Sequence, residues 1–427
     1  MPAIRRTTDG RRAPQPTAPQ TALPTIPKKA PPIDLALQGG GSHGAFTWGV
    51  LDRLLEEPWL AFDGVSGTSA GALNAAVLAT GMAAGGRPRA QAALREFWED
   101  VAAAGAPFGS AQGGLLAPLP LLPGVGLPGF PPFGREALAQ WMAELTRYAS
   151  PYQFNPLDIN PLRQIVRRHV DIAAVSRGKL AVFVNATAVT TGRPRIFRRE
   201  DLSHDALLAS ACLPQLFRAV EIDGVPYWDG GYSGNPALWP LIYETPALDI
   251  VLVKIDPLER AGTPDTPLEI QDRINEINFN SGLVGEMRAI AFVQKLHREG
   301  RVRRGEYKDL RMHMVADETA MTAMTASSKL DTGIAFLREL HDQGHAAATA
   351  WLKRDARWLG RRSTLDVRRT FLGEDGAEAP AVNVARKAVG KAAAKGAAKG
   401  TQKGPQTAAR RPRSAPRRRA RRRAAQA

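Results

Sequence analysis

The sequence predicts an α/β protein whose central, mostly parallel sheet is covered by helices on both faces. Three observations predict it. Short apolar segments rich in Val and Ile alternate with longer segments of helical periodicity. Those apolar segments are nearly continuous, the pattern of strands buried on both sides. Hydrophobic residues make up 44% of the 427 positions, enough for a sizeable core.

Taken in order, "IDLALQ" (33–38) reads as the first strand and 45–57 as a helix with apolar Phe46, Val50, Leu54 and Leu55. "FDGVSG" (62–67) is a second strand and Ala70 to Thr80 a second helix. Residues 135–148 place Leu138, Trp141, Met142 and Leu145 on one helical face. The strongest further strands are 179–189 and 248–256, and long helical patterns follow at about 267–299 and 326–354. No internal repeat is present. One segment breaks the alternation: residues 104–134 hold seven Pro, eight Gly and no charge. That composition argues against a helix or a central strand. It fits either a buried loop or an apolar lid over a lipid-accepting pocket.

The net charge of +16 lies in the tails. Residues 379–427 carry +15 and residues 1–32 carry +5, so the body is at −4. Both tails are too poor in core-forming residues to repay chain entropy and are expected to be disordered. Arg blocks such as Arg417–Arg419 attract polyanions whatever their sequence: an anionic membrane, a granule surface or nucleic acid. No aromatic interleaving supports sequence-specific reading. Cys212 is the single cysteine, so no intrachain disulfide forms, which fits a reducing compartment. The N-terminus lacks an apolar signal core and no long apolar run suits a spanning helix. A cytoplasmic protein, peripheral to a membrane or granule, is the expectation.

Three motifs carry chemistry. Gly67-Thr68-Ser69-Ala70-Gly71 is a G-x-S-x-G between a strand and a helix, the setting that exposes a serine oxygen on a tight turn. Gly39-Gly40-Gly41-Ser42-His43-Gly44 lies between the first strand and first helix. It reads as a dinucleotide loop or as a cradle of backbone amides for an oxyanion. The acidic residue expected about 20 positions on falls at Asp63, which starts a strand, so the oxyanion cradle is favoured. Asp229-Gly230-Gly231, taken alone, reads as a turn.

Together, in this order, the three motifs resemble the patatin-like phospholipase family. The segments 155–166, 185–197 and 209–237 are also similar to family members. The resemblance covers about 33–242 as a catalytic domain, with 243–360 as a mainly helical C-terminal part of the fold. It implies a three-layer patatin-like sandwich and a serine acyl hydrolase acting on lipid acyl esters. It implies Ser69 as nucleophile and Asp229 as base, with no histidine between them and no metal or organic cofactor. The amides of Gly40, Gly41 and their neighbours would hold the oxyanion. An intracellular polyester is an alternative substrate, and a polyanion-binding protein on an inactive hydrolase body is an alternative of another class. His43 stands where the family usually has Arg or Lys, which would make any charge assistance titrate near neutrality.

Other residues are weighed against plainer roles. His313 in "RMHMV" is the one histidine placed to complete a triad after Asp229. His297, His341 and His345 lie in helical, polar surroundings and read as solvated faces. The i, i+4 pair His341 and His345 lacks the partners of a metal site. Cys212 reads as a small buried hydrophobe, and Trp228 as core or as a cover that desolvates Asp229.

Overall fold

Alternating side chains of the buried strands feed two separate apolar layers, one on each face of the sheet. The computed structural model describes residues 31–109, 149–303 and 305–373. In chain order the elements are β1 (Ile33–Leu37), α1 (Gly44–Leu55), β2 (Phe62–Thr68), α2 (Ala70–Gly109), α3 (Pro151–Phe154), α4 (Leu162–His169), α5 (Ile172–Arg177), β3 (Ala181–Ala188), β4 (Pro194–Phe197), α6 (His204–Ser210), β5 (Val220–Ile222), β6 (Val225–Asp229), α7 (Trp239–Glu244), β7 (Asp249–Val253), α8 (Pro267–Arg298), β8 (Arg311–Val315), α9 (Glu318–Ala323), α10 (Ile334–Asp355) and α11 (Val367–Leu372). Leu35, Leu37, Val65, Val182, Val184, Val251 and Val253 pack with Phe46, Phe97 and Trp351. Ala36, Phe183, Ile250 and Leu252 pack on the other side with Leu241, Leu283 and Met287. The expected three layers result: α1, α2 and α10 on one face, α7, α8 and α11 on the other.

The strands are hydrogen-bonded in the order β5-β6-β3-β2-β1-β7-β8, with β4 also pairing β3. Pairs β1/β2, β1/β7, β2/β3 and β7/β8 are parallel, and β3/β4, β3/β6 and β5/β6 antiparallel. The sheet is thus mostly parallel, as expected. One detail positions the site. On β3, Val184 and Asn185 pair with both β2 and β4, and Ala186 and Thr187 with both β4 and β6. A strand has two edges, so β4 takes one and β2 and β6 share the other. Since β2 is parallel to β3 and β6 antiparallel, their C-terminal ends meet head-on. Thr68 sits opposite Asn185 and Asp229 opposite Ala186, one residue step apart.

Local chemistry sets the helix starts. Thr266 and Glu269 form a reciprocal capping box on α8, with Pro267 in the first turn. Asp171, Ser203, Asp317 and Asp366 cap α5, α6, α9 and α11. Where α1 crosses α10 the backbones nearly touch: a Cβ on Gly49 would lie 1.8 Å from the His341 carbonyl, and one on Gly344 2.0 Å from that of Phe46.

Three boundaries differ from the sequence reading. The second helix runs past Thr80 to Gly109, kinked at Gly85 and Gly86. Residues 104–109, expected in a loop, are therefore helical; Gly105 abuts Thr332, and this packing overrides the low propensity of the last turn. The pattern at 326–354 divides into a 3-10 turn, Ala326–Leu330, and α10. The rest of the lid-like segment, the helix expected at 135–148, and the tails at 1–30 and 374–427 lie outside the described residues. No helix among the described residues is long and apolar enough to cross a membrane.

Candidate active site

β2 ends at Thr68 and α2 begins at Ala70, so Ser69 alone makes the turn. Its φ is +54°, a left-handed conformation that costs a non-glycine residue roughly 1–2 kcal/mol. The turn is held from several sides. The Ser69 amide donates to Ser210 Oγ at 2.9 Å, and its carbonyl accepts from the Ala72 and Leu73 amides as α2 starts. Ser66 and Thr68 donate to the carbonyls of Ala237 and Gly234, at 2.5 and 2.8 Å. Gly39 lies against the serine: a Cβ there would be 2.6 Å from Ser69 Cβ. Ser69 is 8% exposed.

Asp229, at the end of β6, is fully buried. Its amide donates to the Cys212 carbonyl and its carbonyl accepts from Thr187 Oγ1, both at 2.8 Å. Oδ1 accepts from the Gly231 amide at 2.8 Å. Oδ2 has no well-formed hydrogen bond among the described residues. The Ser69 hydroxyl nevertheless acts on this carboxylate as a hydrogen-bonding neighbour that favours its charged form. The two facts fit a contact that is close and poorly aligned, as is common in unliganded sites. Burial dominates and raises the Asp229 pKa to about 7, against lowering by the Gly231 amide and Ser69. Trp228 points to the opposite face of β6, since adjacent strand residues do, and is only half-buried. It does not supply the cover over Asp229.

The glycine loop follows β1 on the other side of Ser69. Three of its amides are committed: Gly39 to Asn235 Oδ1 at 2.6 Å, His43 to the Gly40 carbonyl, and Gly44 to the carbonyls of Gly41 and Ser42. That leaves Gly40, Gly41 and Ser42 as donors without partners among the described residues. The amides of Gly39, His43 and Gly44, expected within the cradle, are thus already used in hydrogen bonds that fix the loop. Gly67, Thr68, Ala70 and Gly71 form the walls of the serine turn, and Gly230 and Gly231 the turn after Asp229.

His43 is buried, and burial followed by Lys329 pulls its pKa down to about 4. This places its titration well below the neutral range expected from the sequence and favours the uncharged ring at pH 7. Ser328 Oγ donates to the Thr325 carbonyl, so His43 Nε2 is the donor in its 2.7 Å bond to Ser328 Oγ. His313 is not a third member of the site. It lies on β8, bonded to Asp249 Oδ1 and Thr364 Oγ1, three strands from β2. His341 and His345 face Asp52 of α1 and Glu56 at its C-terminal end. Cys212 is buried, its thiol pushed up to about 12 by burial.

Several residues that support the cluster went unread in the sequence. Asn185 Nδ2 donates to the carbonyls of Gly230 and Gly234, clamping the turn after Asp229. Asn235 Nδ2 donates to the Gly39 carbonyl and to Asp256 Oδ2, at 3.1 and 3.0 Å. Gln38 Oε1 accepts the amides of Ile255 and Asp256. Lys329 reaches Asp256 Oδ1 at 2.5 Å. An Asn inside the apolar run of β3 is the one available signal; Asp256 and Lys329 gave none. Surface clefts of about 580 Å³ beside Arg89 and His169, and 370 Å³ beside Trp351, share no residue with this cluster.

Chemically, the arrangement sets a strained serine beside a buried carboxyl of raised pKa, next to a loop with three amides that have no partner among the described residues. No curated protein matches the chain. Among solved structures, similarity is found to VipD from Legionella pneumophila, at 13% identity and TM-score 0.30, covering 74% of this chain and 67% of that one. The type III effector protein ExoU is similar at 18% identity and TM-score 0.28, with 77% of this chain covered; this chain spans about half of its length, 54%. Full-length ExoU in complex with SpcU, from Pseudomonas aeruginosa, gives 15% and 0.27, with 76% of this chain and 54% of that one covered. The family model for patatin-like phospholipase matches residues 35–242, the span that holds the glycine loop, the Ser69 turn and Asp229. Residues 35–242 of this chain are a domain of the patatin-like phospholipase family.

Proposed function

We propose that the protein is a serine acyl hydrolase that cleaves lipid acyl esters with Ser69 as nucleophile and Asp229 as its base. The observation that carries this reading is the head-on meeting of β2 and β6 on one edge of β3. Register positions one step apart are separated by about 3.4 Å, so the residue after Thr68 and the side chain of Asp229 are neighbours by construction of the sheet. Ser69 Oγ attacks the ester carbonyl while its proton passes to Asp229 Oδ2. The amides of Gly40, Gly41 and Ser42 receive the charge on the carbonyl oxygen. Collapse returns the proton from Asp229 to the departing alcohol and leaves an acyl-Ser69 ester. Water, deprotonated by Asp229, attacks that ester and releases the carboxylic acid, and Ser69 recovers its proton.

A fluorophosphonate probe tests this. Labelling of the wild type, lost in Ser69→Ala, together with fatty acid released from phospholipid vesicles, supports the reading. A wild type that takes no label would be an inactive hydrolase body, and release of hydroxyacid from polyester alone would move the substrate to that class. The basic residues 379–427 are proposed to hold the enzyme on an anionic surface. Their deletion should leave turnover of soluble esters intact and abolish sedimentation with anionic vesicles.

A further inference from the structure

The glycine loop carries no charge of its own: its one titratable side chain, His43, is buried, and its pKa is pulled down to about 4. A cation nevertheless reaches it from outside the 35–242 domain. The turn Ala326–Leu330 packs directly on the loop. Gly41 has φ +59°, and a Cβ there would lie 2.3 Å from the Lys329 carbonyl and 3.4 Å from Lys329 Cβ. His43 bonds to the adjacent Ser328. The Lys329 side chain, 22% exposed, turns inward to Asp256, which is fully buried. Asp256 in turn holds Asn235, and Asn235 grips both backbone groups of Gly39. Lys329 is thus joined to the loop twice, through its backbone and through an ion pair that ends on the loop's first glycine.

We propose that Lys329 is a positioning residue for acyl transfer: it supplies a positive field to the glycine loop and at Asp229 offsets part of the negative field of Asp256. This rests on the Ser69–Asp229 reading and deepens it. The groups acting on Asp229 can be named from every side. Ser69 comes from the β2–α2 turn, Cys212 from the segment after α6, Tyr232 from the turn after β6, Asp256 from the segment after β7 and Lys329 from the 326–330 turn. Of the charged pair, Asp256 raises the carboxyl's pKa and Lys329 lowers it. α8 adds Asp272, which feels Lys329, and Glu276, which is paired with Arg260 and Arg273. Lys329 therefore keeps more of the base ionised at a given pH and attracts the negative charge that forms on the substrate oxygen.

The two members of the pair make opposite predictions, which separates a field from a mere brace. The pH profile of kcat/KM on a soluble p-nitrophenyl ester is measured for the full chain. Lys329→Gln should move the acid limb up by about a few tenths of a pH unit and lower kcat about tenfold, with KM little changed. Asp256→Asn should move that limb down. Lys329→Arg, which keeps the charge, should leave it in place. Limbs that stay together in Lys329→Gln and Asp256→Asn, or move the same way, overturn the proposal. So does a Lys329→Gln enzyme with wild-type kcat. Fluorophosphonate labelling of the wild type at Ser69 guards the underlying reading. If the wild type labels and the limbs do not part, Lys329 alone is wrong; if the wild type does not label, both fall.

Discussion

On the dyad reading, Asp229 must be both buried and basic. Its pKa near 7 means that the ionised base is filled as pH rises through neutrality. On the dyad reading, kcat/KM climbs with a single ionisation near pH 7 and levels above it; a profile already flat from about pH 5 would contradict this. Asp229→Asn should lower kcat by about 10²- to 10⁴-fold. The same change should stabilise the fold. A carboxyl whose folded pKa lies above its unfolded value of about 4 binds its proton more tightly when folded. Stability from that proton is present below about pH 4 and is lost as pH rises to about 7. Above neutrality the buried charge remains a penalty, and the amide removes it. Denaturant midpoints should show a gain of about 1–3 kcal/mol at pH 8 that shrinks toward pH 4.

Residue identities were the most legible layer of the candidate site. Ser69, Asp229 and the glycine loop stand in short motifs whose flanking glycines have local reasons. Environment was not legible. His43 reads as a neutral-pH switch until its burial is known, and His313 reads as a triad member until β8 places it beside Asp249.

Among the elements, strand and helix periodicity survived because both faces of the sheet and one stripe of each helix are buried. The end of α2 was missed because Gly105 and Pro107 argue locally against helix, while the contact with Thr332 acts from more than two hundred residues away. The meeting of β2 and β6 was equally invisible, since register on a shared edge leaves no mark in either strand. Asn185 is the element-level test. Asn185→Ala removes two hydrogen bonds to the turn after Asp229, and should cost about 2 kcal/mol and a larger share of kcat than of KM. An enzyme unchanged in kcat would show that the turn keeps its shape unaided. Gly49→Ala, by contrast, should cost about 1–3 kcal/mol by pushing α1 off α10 without altering the pH profile.

For the molecule as a whole, the family span and the folding unit are different lengths of chain. β7 pairs with β1 at the centre of the sheet, and β8 follows it, so the second half of the described chain completes the same core. A chain cut after residue 242 should lack a cooperative thermal transition; a sharp, reversible melt of that fragment would refute this. Charge was legible at this scale from the sequence alone, because the excess sits in the tails and the body is at −4.

The shared edge of β3 has one more consequence. On the proposed reading, Asn185 and Ala186 act as a ruler between Ser69 and Asp229, graduated in a single peptide unit. Slow breathing of outer helices cannot stretch it, and only dissolution of the sheet can. Heat inactivation should therefore track the loss of the sheet itself, without an earlier phase in which a folded enzyme has gone silent.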